Sequence, residues 1–138
     1  MPNGIDLILA DHERVKALFA RFDETSDANL IGLTIAALEA HDEVEHGALY
    51  PLAGHLLGDE QMIERFAAAH SAVKKQIDVI SSLEGAPLVD AFAVLQGLVT
   101  DHAEDEERTL LPALSERATP QQLEGLGARM LQIIQRVG

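Results

Sequence analysis

The stretch His41–Pro51 reads HDEVEHGALYP and places polar side chains on the apolar stripe of a predicted helix. Apolar residues recur at helical spacing before and after it, at Leu38 and Leu52. When this stripe is continued in steps of three or four residues, it passes through His41 and Glu45. Because burying a carboxylate costs free energy unless a partner compensates its charge, the pattern calls for such a partner.

Helical spacing of apolar residues extends over almost the whole chain, and strand-like alternation is nearly absent. The stripes of four long helices and one shorter C-terminal helix cover residues 5–22, 31–52, 63–80, 88–113 and 123–137. Short polar breaks separate them, and one break contains Gly58 as a helix stop and Asp59 as a helix cap. The sequence predicts an all-α fold, an up-down-up-down four-helix bundle with a short fifth C-terminal helix on its outside or across one end.

Each long helix has a histidine on its apolar stripe, and two helices add a glutamate one turn later. The six residues are His12, His41, Glu45, His70, His102 and Glu106. The segment HDEVEHGALYPLA repeats as HAEDEERTLLPAL 61 residues later, and DHERVKALF repeats loosely as AHSAVKKQI 58 residues later. The repeating unit is a helical hairpin that carries a histidine and then an HxxxE motif. Two such hairpins, related by a pseudo-two-fold axis, would build the bundle.

The six polar residues can share one layer of the bundle, because a rise of about 1.5 Å per residue puts them at similar heights in their helices. One histidine on an apolar stripe is more often a hydrogen-bonded core residue than a ligand. A repeated set of four histidines and two glutamates is different, since their burial would be costly without positive charge. A pair of metal ions supplies that charge. Imidazole and carboxylate ligands without thiolate favour iron or manganese.

Length and composition narrow the classes of function. At 138 residues the chain fits a single domain, 1–138, and its 47% hydrophobic content indicates a globular protein. The absence of cysteine excludes disulfides and thiol chemistry. The net charge of −13 makes nucleic acid an unfavourable partner. The sequence shows neither a membrane-spanning apolar run nor a leader peptide, which predicts a cytoplasmic protein without a membrane partner.

The chain resembles the hemerythrin-like HHE cation-binding family in its H–HxxxE–H–HxxxE form. The resemblance covers positions 5–115, and the triplets LYP and LLP follow the two HxxxE motifs. It implies a single hemerythrin-like domain, a four-helix bundle around a non-heme di-iron centre. The implied terminal ligands are His12, His41, His70 and His102, and the residues implied to bridge the two irons are Glu45 and Glu106.

The chain departs from the oxygen-carrying hemerythrins at two positions. Those proteins have a fifth histidine one turn after the histidine of helix three, where this chain has Lys74. Their last carboxylate comes five residues after its histidine, so Glu107 is an alternative to Glu106. Without the fifth histidine the two half-sites look alike, and both irons could keep a position for substrate or water.

Three further polar residues accompany the HxxxE motifs. His46 and Glu107 occupy equivalent places in the repeat, and they either orient ligands or belong to a solvated helix face. Tyr50 either packs at the bundle edge or brings its oxygen to an iron or a bound oxygen species, which makes it the candidate catalytic residue. His55 is predicted to be exposed.

Three functions are compatible with these residues. The first is redox chemistry on peroxide, in a catalase-like reaction, or on nitric oxide at a centre of two iron ions. The second is reversible O₂ binding for storage or sensing, which the absent fifth histidine disfavours. The third is a non-redox metal store or interaction module. Whether the chain is an enzyme stays open, and its expected partners are small molecules: peroxide, O₂ or nitric oxide.

Overall fold

The computed structural model describes residues 3–137, which are almost entirely helical. The α-helices are α1 (Gly4–Thr25), α2 (Asn29–Val44), α3 (Tyr50–Leu57), α4 (Glu60–Ser81), α5 (Gly85–Asp105), α6 (Leu111–Arg117) and α7 (Pro120–Val137). Two π-helical turns, Glu45–Leu49 and Glu106–Leu110, join α2 to α3 and α5 to α6 without a break. The chain therefore forms four long helical rods and a fifth C-terminal helix, and the predicted all-α bundle is confirmed. None of the helices described has both the length and the apolarity needed to cross a membrane.

Local sequence explains where the helices begin and end. The side chain of Asn3 caps α1 by accepting a hydrogen bond from the N–H of Asp6 at 2.9 Å. Gly58 ends α3 with a φ of 64°, a left-handed conformation that glycine adopts without strain. Asp59 then caps α4, since its side chain accepts from the N–H of Met62 at 3.0 Å. The helix stop and cap predicted at these positions are confirmed.

The two π-helical turns follow from the sequence of the repeats. In the first turn the N–H of Tyr50 donates to the carbonyl of Glu45, five residues back, and Pro51 comes next. Proline has no N–H, and its ring would clash with the carbonyl four residues earlier in a regular α-helix. A wider turn relieves that clash. The second turn repeats the arrangement with Glu106, Leu111 and Pro112.

The rods pack as two hairpins, α1 against α2 and α4 against α5, and α7 covers α1, α2 and the first π-helical turn. Their buried apolar side chains form two separate clusters. One cluster includes Leu49, Phe66, Leu110, Leu114 and Met130. The other includes Phe19, Ile31, Ile80, Phe92 and Leu95. A polar layer lies between the two clusters, and it contains the residues singled out by the repeat.

Candidate metal centre

The six histidines and glutamates predicted from the repeat meet in this polar layer. Glu45 and Glu106 have no exposed surface, and the four histidines are between 6% and 9% exposed. Each glutamate begins a π-helical turn, so the local widening of the helix coincides with the centre of the layer. Polar side chains buried to this degree need partners that compensate their charge.

The layer divides into two groups that share both glutamates. Ligand atoms within 4.8 Å of one another form the group His12, His41, Glu45 and Glu106 and the group Glu45, His70, His102 and Glu106. The first hairpin supplies the histidines of one group, and the second hairpin supplies those of the other. Each group therefore offers two imidazoles and the two shared carboxylates to a cation.

The inner ring nitrogen, Nε2, of every histidine in the layer faces a carboxylate oxygen. The distances are 3.1 Å (His41) and 2.6 Å (His70) to Glu45 Oε1, 3.2 Å (His12) to Glu106 Oε1 and 3.1 Å (His102) to Glu106 Oε2. Converging imidazole nitrogens and carboxylate oxygens, without thiolate, are the donor set that suits iron, manganese or zinc.

Several atoms of the layer lack a hydrogen-bond partner among the residues that the structure describes. These buried atoms are His12 Nε2, Glu45 Oε2, Glu106 Oε1 and His102 Nδ1. His12 Nε2 lies 3.2 Å from Glu106 Oε1, but the contact is not aligned as a hydrogen bond. Buried polar atoms are rarely left without partners. The three that face the interior of the layer, His12 Nε2, Glu45 Oε2 and Glu106 Oε1, therefore fit a bound cation.

Charge in the layer is balanced through shifted pKa values. Burial by itself would raise the pKa of Glu45, but the charge of His41 and hydrogen bonds to neighbouring groups hold that pKa well below its ordinary value. Burial would lower the pKa of His102, but hydrogen bonds to Glu106 and Glu45 raise it to about 9. Without metal Glu45 is therefore ionised and His102 carries a proton, and an ion that binds must displace that proton.

Carboxylates also contact the outer ring nitrogen, Nδ1, of three of the four histidines. The pairs are Asp11 with His41 at 2.5 Å, Asp42 with His70, and Glu107 with His12 at 2.8 Å. Such a contact fixes the orientation of the imidazole and increases the donor strength of its other nitrogen. These contacts make the arrangement typical of a metal centre rather than of isolated core histidines.

Sequence reasoning did not single out Asp11 and Asp42. Both stand next to a histidine of the layer in the sequence, Asp11 before His12 and Asp42 after His41, and this adjacency was the available signal. Each contacts a histidine on a different helix, which no single-helix pattern reveals. His46, for which two interpretations stayed open, has a 43% exposed side chain whose Nε2 lies 3.3 Å from Asp42.

Tyr50 lies inside the layer rather than at the bundle edge, and it is 4% exposed. Its hydroxyl is 2.8 Å from Glu106 Oε2, 3.1 Å from Glu45 Oε1 and 2.9 Å from His70 Nε2. Burial and the two carboxylates raise the pKa of Tyr50 above its ordinary value, so the phenol keeps its proton. Its hydroxyl can therefore donate to either glutamate.

Lys74 and His55 stay outside the layer. The ammonium of Lys74 lies 3.1 Å from Asp42 Oδ2, and 65% of the side chain is exposed. A lysine in this position supplies no ligand to the half-site of His70, although it neutralises the carboxylate behind that histidine. His55 is exposed, as predicted, in the last turn of α3.

A cavity of about 440 Å³ adjoins the layer and is lined by its four histidines, but not by Glu45, Glu106 or Tyr50. Its apolar wall consists of Val15, Phe19, Leu38, Val73, Ile77 and Val99. Exposed charged residues also line it, among them Lys16, Glu39, Lys74 and Asp78. The cavity connects solvent with the histidine side of the layer, whereas the carboxylates and the phenol lie on the closed side.

Comparison with known proteins identifies the family. The sequence profile of the Hemerythrin HHE cation binding domain matches residues 3–114. The chain belongs to this family. As a hemerythrin HHE domain it is a metal-binding helical protein, and the shared histidine and glutamate groups described above are its metal-binding candidates.

Two similar proteins differ in what they show. The crystal structure of a hemerythrin HHE cation binding domain-containing protein from Mycobacterium kansasii has a TM-score of 0.87 and 23% sequence identity, and it covers 99% of this chain and 88% of that chain. This likeness shows the fold. A protein of Nostoc sp. named DNA nickase is 31% identical over 125 residues, which cover 86% of this chain and 35% of that protein. The hemerythrin HHE chain thus spans about a third of the length of this relative.

Proposed function

We propose that this hemerythrin-like domain holds two iron ions and acts on peroxide in a catalase-like reaction, with nitric oxide as the alternative substrate of the same centre. The proposed ligands are His12, His41, Glu45, His70, His102 and Glu106. One observation carries the proposal: two groups of converging ligand atoms share Glu45 and Glu106. Two carboxylates common to two adjacent groups suit a bridged pair of ions better than a single ion.

Two iron ions would supply the two-electron oxidation and reduction on which peroxide disproportionation depends. In that reaction two molecules of H₂O₂ become two of H₂O and one of O₂. The O–O bond of one molecule breaks, and the other molecule loses two electrons and two protons. The protein has to admit a small polar molecule, exclude bulk water and supply groups beside the ligands that donate and accept protons.

The cavity beside the histidines supplies the access. It reaches all four imidazoles, and its apolar wall limits how much water surrounds a molecule bound there. Lys74, which stands where oxygen-carrying hemerythrins have a fifth histidine, turns outward to Asp42. Neither histidine pair is therefore closed by an additional ligand from α4, and both half-sites can face the cavity.

Tyr50 supports the centre from its closed side. The phenol lies within hydrogen-bonding distance of both glutamates and can donate its proton to either, yet it does not line the cavity. We therefore assign it a positioning role: it holds the two carboxylates at a fixed separation and keeps a proton next to them. The alternative of direct contact with substrate requires that a bound molecule pass between the glutamates.

The other candidate functions have weaker support. Reversible O₂ binding uses the same cavity, but it fits less well with a centre in which Lys74 replaces the fifth histidine. A non-redox metal store could also use the cavity for ion entry, but no observation specifically favours that role or an interaction module. We do not propose DNA nicking, because the chain covers 35% of the relative with that name and carries a net charge of −13.

Oxygen evolution after addition of H₂O₂ to the iron-loaded protein, followed with an oxygen electrode, tests the proposal. We expect evolution by the wild-type protein and by His55→Ala, and none above background by Glu106→Ala. His55 is a suitable control because it is exposed and outside both groups. If the wild-type protein evolves no oxygen but binds O₂ reversibly in air, the protein is a carrier and the proposed reaction is wrong.

A further inference from the structure

The two hairpins differ behind the histidines of their HxxxE motifs. In the first hairpin, Asp11 on α1 contacts Nδ1 of His41 at 2.5 Å. The repeat offset of 58 residues aligns Asp11 with Ala69 on α4, and the offset of 61 aligns His41 with His102 on α5. The second hairpin therefore has a methyl group where the first has a carboxylate.

The consequence is visible at His102. Its Nδ1 is buried and has no hydrogen-bond partner within residues 3–137. A small cavity of about 200 Å³, lined by Ala69, His102 and Asp105 among others, lies where the missing carboxylate would be. Asp105 is already engaged by Arg65, whose Nε and Nη2 lie 3.2 and 3.3 Å from its oxygens.

The other two histidines are each contacted by a carboxylate of the opposite hairpin, since Glu107 lies 2.8 Å from Nδ1 of His12 and Asp42 contacts Nδ1 of His70. Asp11 also accepts a hydrogen bond from Arg14 at 2.8 Å, and Asp42, which backs His70, lies 3.1 Å from the ammonium of Lys74. Asp11 and Asp42 are thus each shared between an imidazole and one exposed cation. Of the four histidines, only His102 lacks a carboxylate at its Nδ1 among the residues that the structure describes.

We propose that the two metal positions are inequivalent, and that the position of His12 and His41 binds its ion more tightly than the position of His70 and His102. This inference rests on the proposed two-metal centre. An imidazole that donates its Nδ1–H to a carboxylate is held in orientation and is a stronger ligand through Nε2, and loss of such a partner lowers metal affinity by about 10- to 100-fold. The ion beside His102 is therefore the one that binds last and leaves first.

The test is an anaerobic titration of the metal-free protein with Fe²⁺ in the presence of a competing chelator. We expect two ions to bind in two steps whose dissociation constants differ by about 10- to 100-fold. Ala69→Asp places a carboxylate behind His102 and should tighten the second step by about tenfold, so that the steps approach each other. Asp11→Ala removes the carboxylate behind His41, so it should weaken the first binding step and bring its dissociation constant closer to that of the second step.

Ala68→Asp is the matched control, because it adds the same charge at the neighbouring, exposed position of α4 and should leave both steps unchanged. Melting curves establish that the variants fold. A measurement without any variant is the Mössbauer spectrum of the wild-type protein with one equivalent of iron, which should show one dominant environment. Equal populations of two environments, two equal binding steps, or a folded Ala69→Asp with an unchanged second step would each overturn the inference. If the protein binds no iron, or a single ion, the proposed centre itself is wrong.

Discussion

The hydroxyl of Tyr50 donates a hydrogen bond of 2.8 Å to Oε2 of Glu106, a residue on the opposite hairpin of the bundle. The same hydroxyl lies 3.1 Å from Glu45, so one phenol connects the two carboxylates that both metal groups share. Through Tyr50, a residue of the first repeat spans the pseudo-two-fold axis that relates the half-sites. Its counterpart in the second repeat, Leu111, has no polar group to do so.

Replacement of this phenol tests its positioning role. We expect Tyr50→Phe to keep its iron, because none of the six proposed ligands is changed, but to lower peroxide turnover by about tenfold, since the two carboxylates lose the hydrogen-bond donor that they share. Iron content and oxygen evolution should be measured on the same preparation. Unchanged turnover at equal iron content would show that Tyr50 only fills space.

Removal of a proposed ligand tests which residues of the second helical rod face the metal centre. We expect His41→Ala to lose metal and to melt about 5 °C or more below the wild-type protein, because an ion bound to the folded state stabilises it. His55→Ala, on the exposed face of α3, should retain both its metal and its melting temperature. Equal loss of iron from the two variants would mean that the layer has been assigned to the wrong residues.

Introduction of a fifth histidine tests whether the residue at position 74 leaves the half-site of His70 open. Lys74 lies one turn after His70 on α4, and its ammonium contacts Asp42 rather than the ligand atoms of the layer. We expect Lys74→His to place a further imidazole beside His70, to close that half-site, and to lower oxygen evolution from H₂O₂ by about tenfold without loss of iron. The control is Lys75→His at an exposed neighbouring position, which should behave as the wild-type protein does.

The pH dependence of metal stabilisation follows from the protonated histidines. The pKa of His102 is raised to about 9 by the glutamates, and that of His41 is also raised well above its ordinary value. In the metal-free protein these protons stabilise the fold fully below the unfolded pKa of about 6.5, and this contribution is lost as pH rises through the folded value. A bound ion replaces the protons, so the rise in melting temperature caused by Mn²⁺ should grow between about pH 6.5 and 9. A rise that stays constant or shrinks over this range would contradict the assignment of these histidines as ligands.

The sequence predicted the four rods and the meeting of six polar residues, because both depend on periodicity. Apolar spacing determines which face of each helix is buried, and the HxxxE motifs fall on that face in both repeats. The similar positions of the histidines within their helices were enough to bring them into one layer. Glu106 takes the inward position that the repeat predicts, and Glu107 contacts His12 from outside.

The sequence left the position of Tyr50 open between the bundle edge and the centre, because the first π-helical turn changes the helical geometry that would decide it. In a regular α-helix a residue five positions after Glu45 points about 140° away from it. The wider turn Glu45–Leu49 brings Tyr50 back toward the face of Glu45. The contacts of Asp11 and Asp42 were missed for another reason, since they cross between helices whose relative rotation the sequence does not specify.

Metal content per chain is the most direct test of the centre. The protein should be purified after expression in iron-replete medium, without added chelator, and its metals quantified against protein concentration. Two groups of ligands that share Glu45 and Glu106 predict about two iron ions per chain. A content near one zinc ion per chain with no iron would contradict the account.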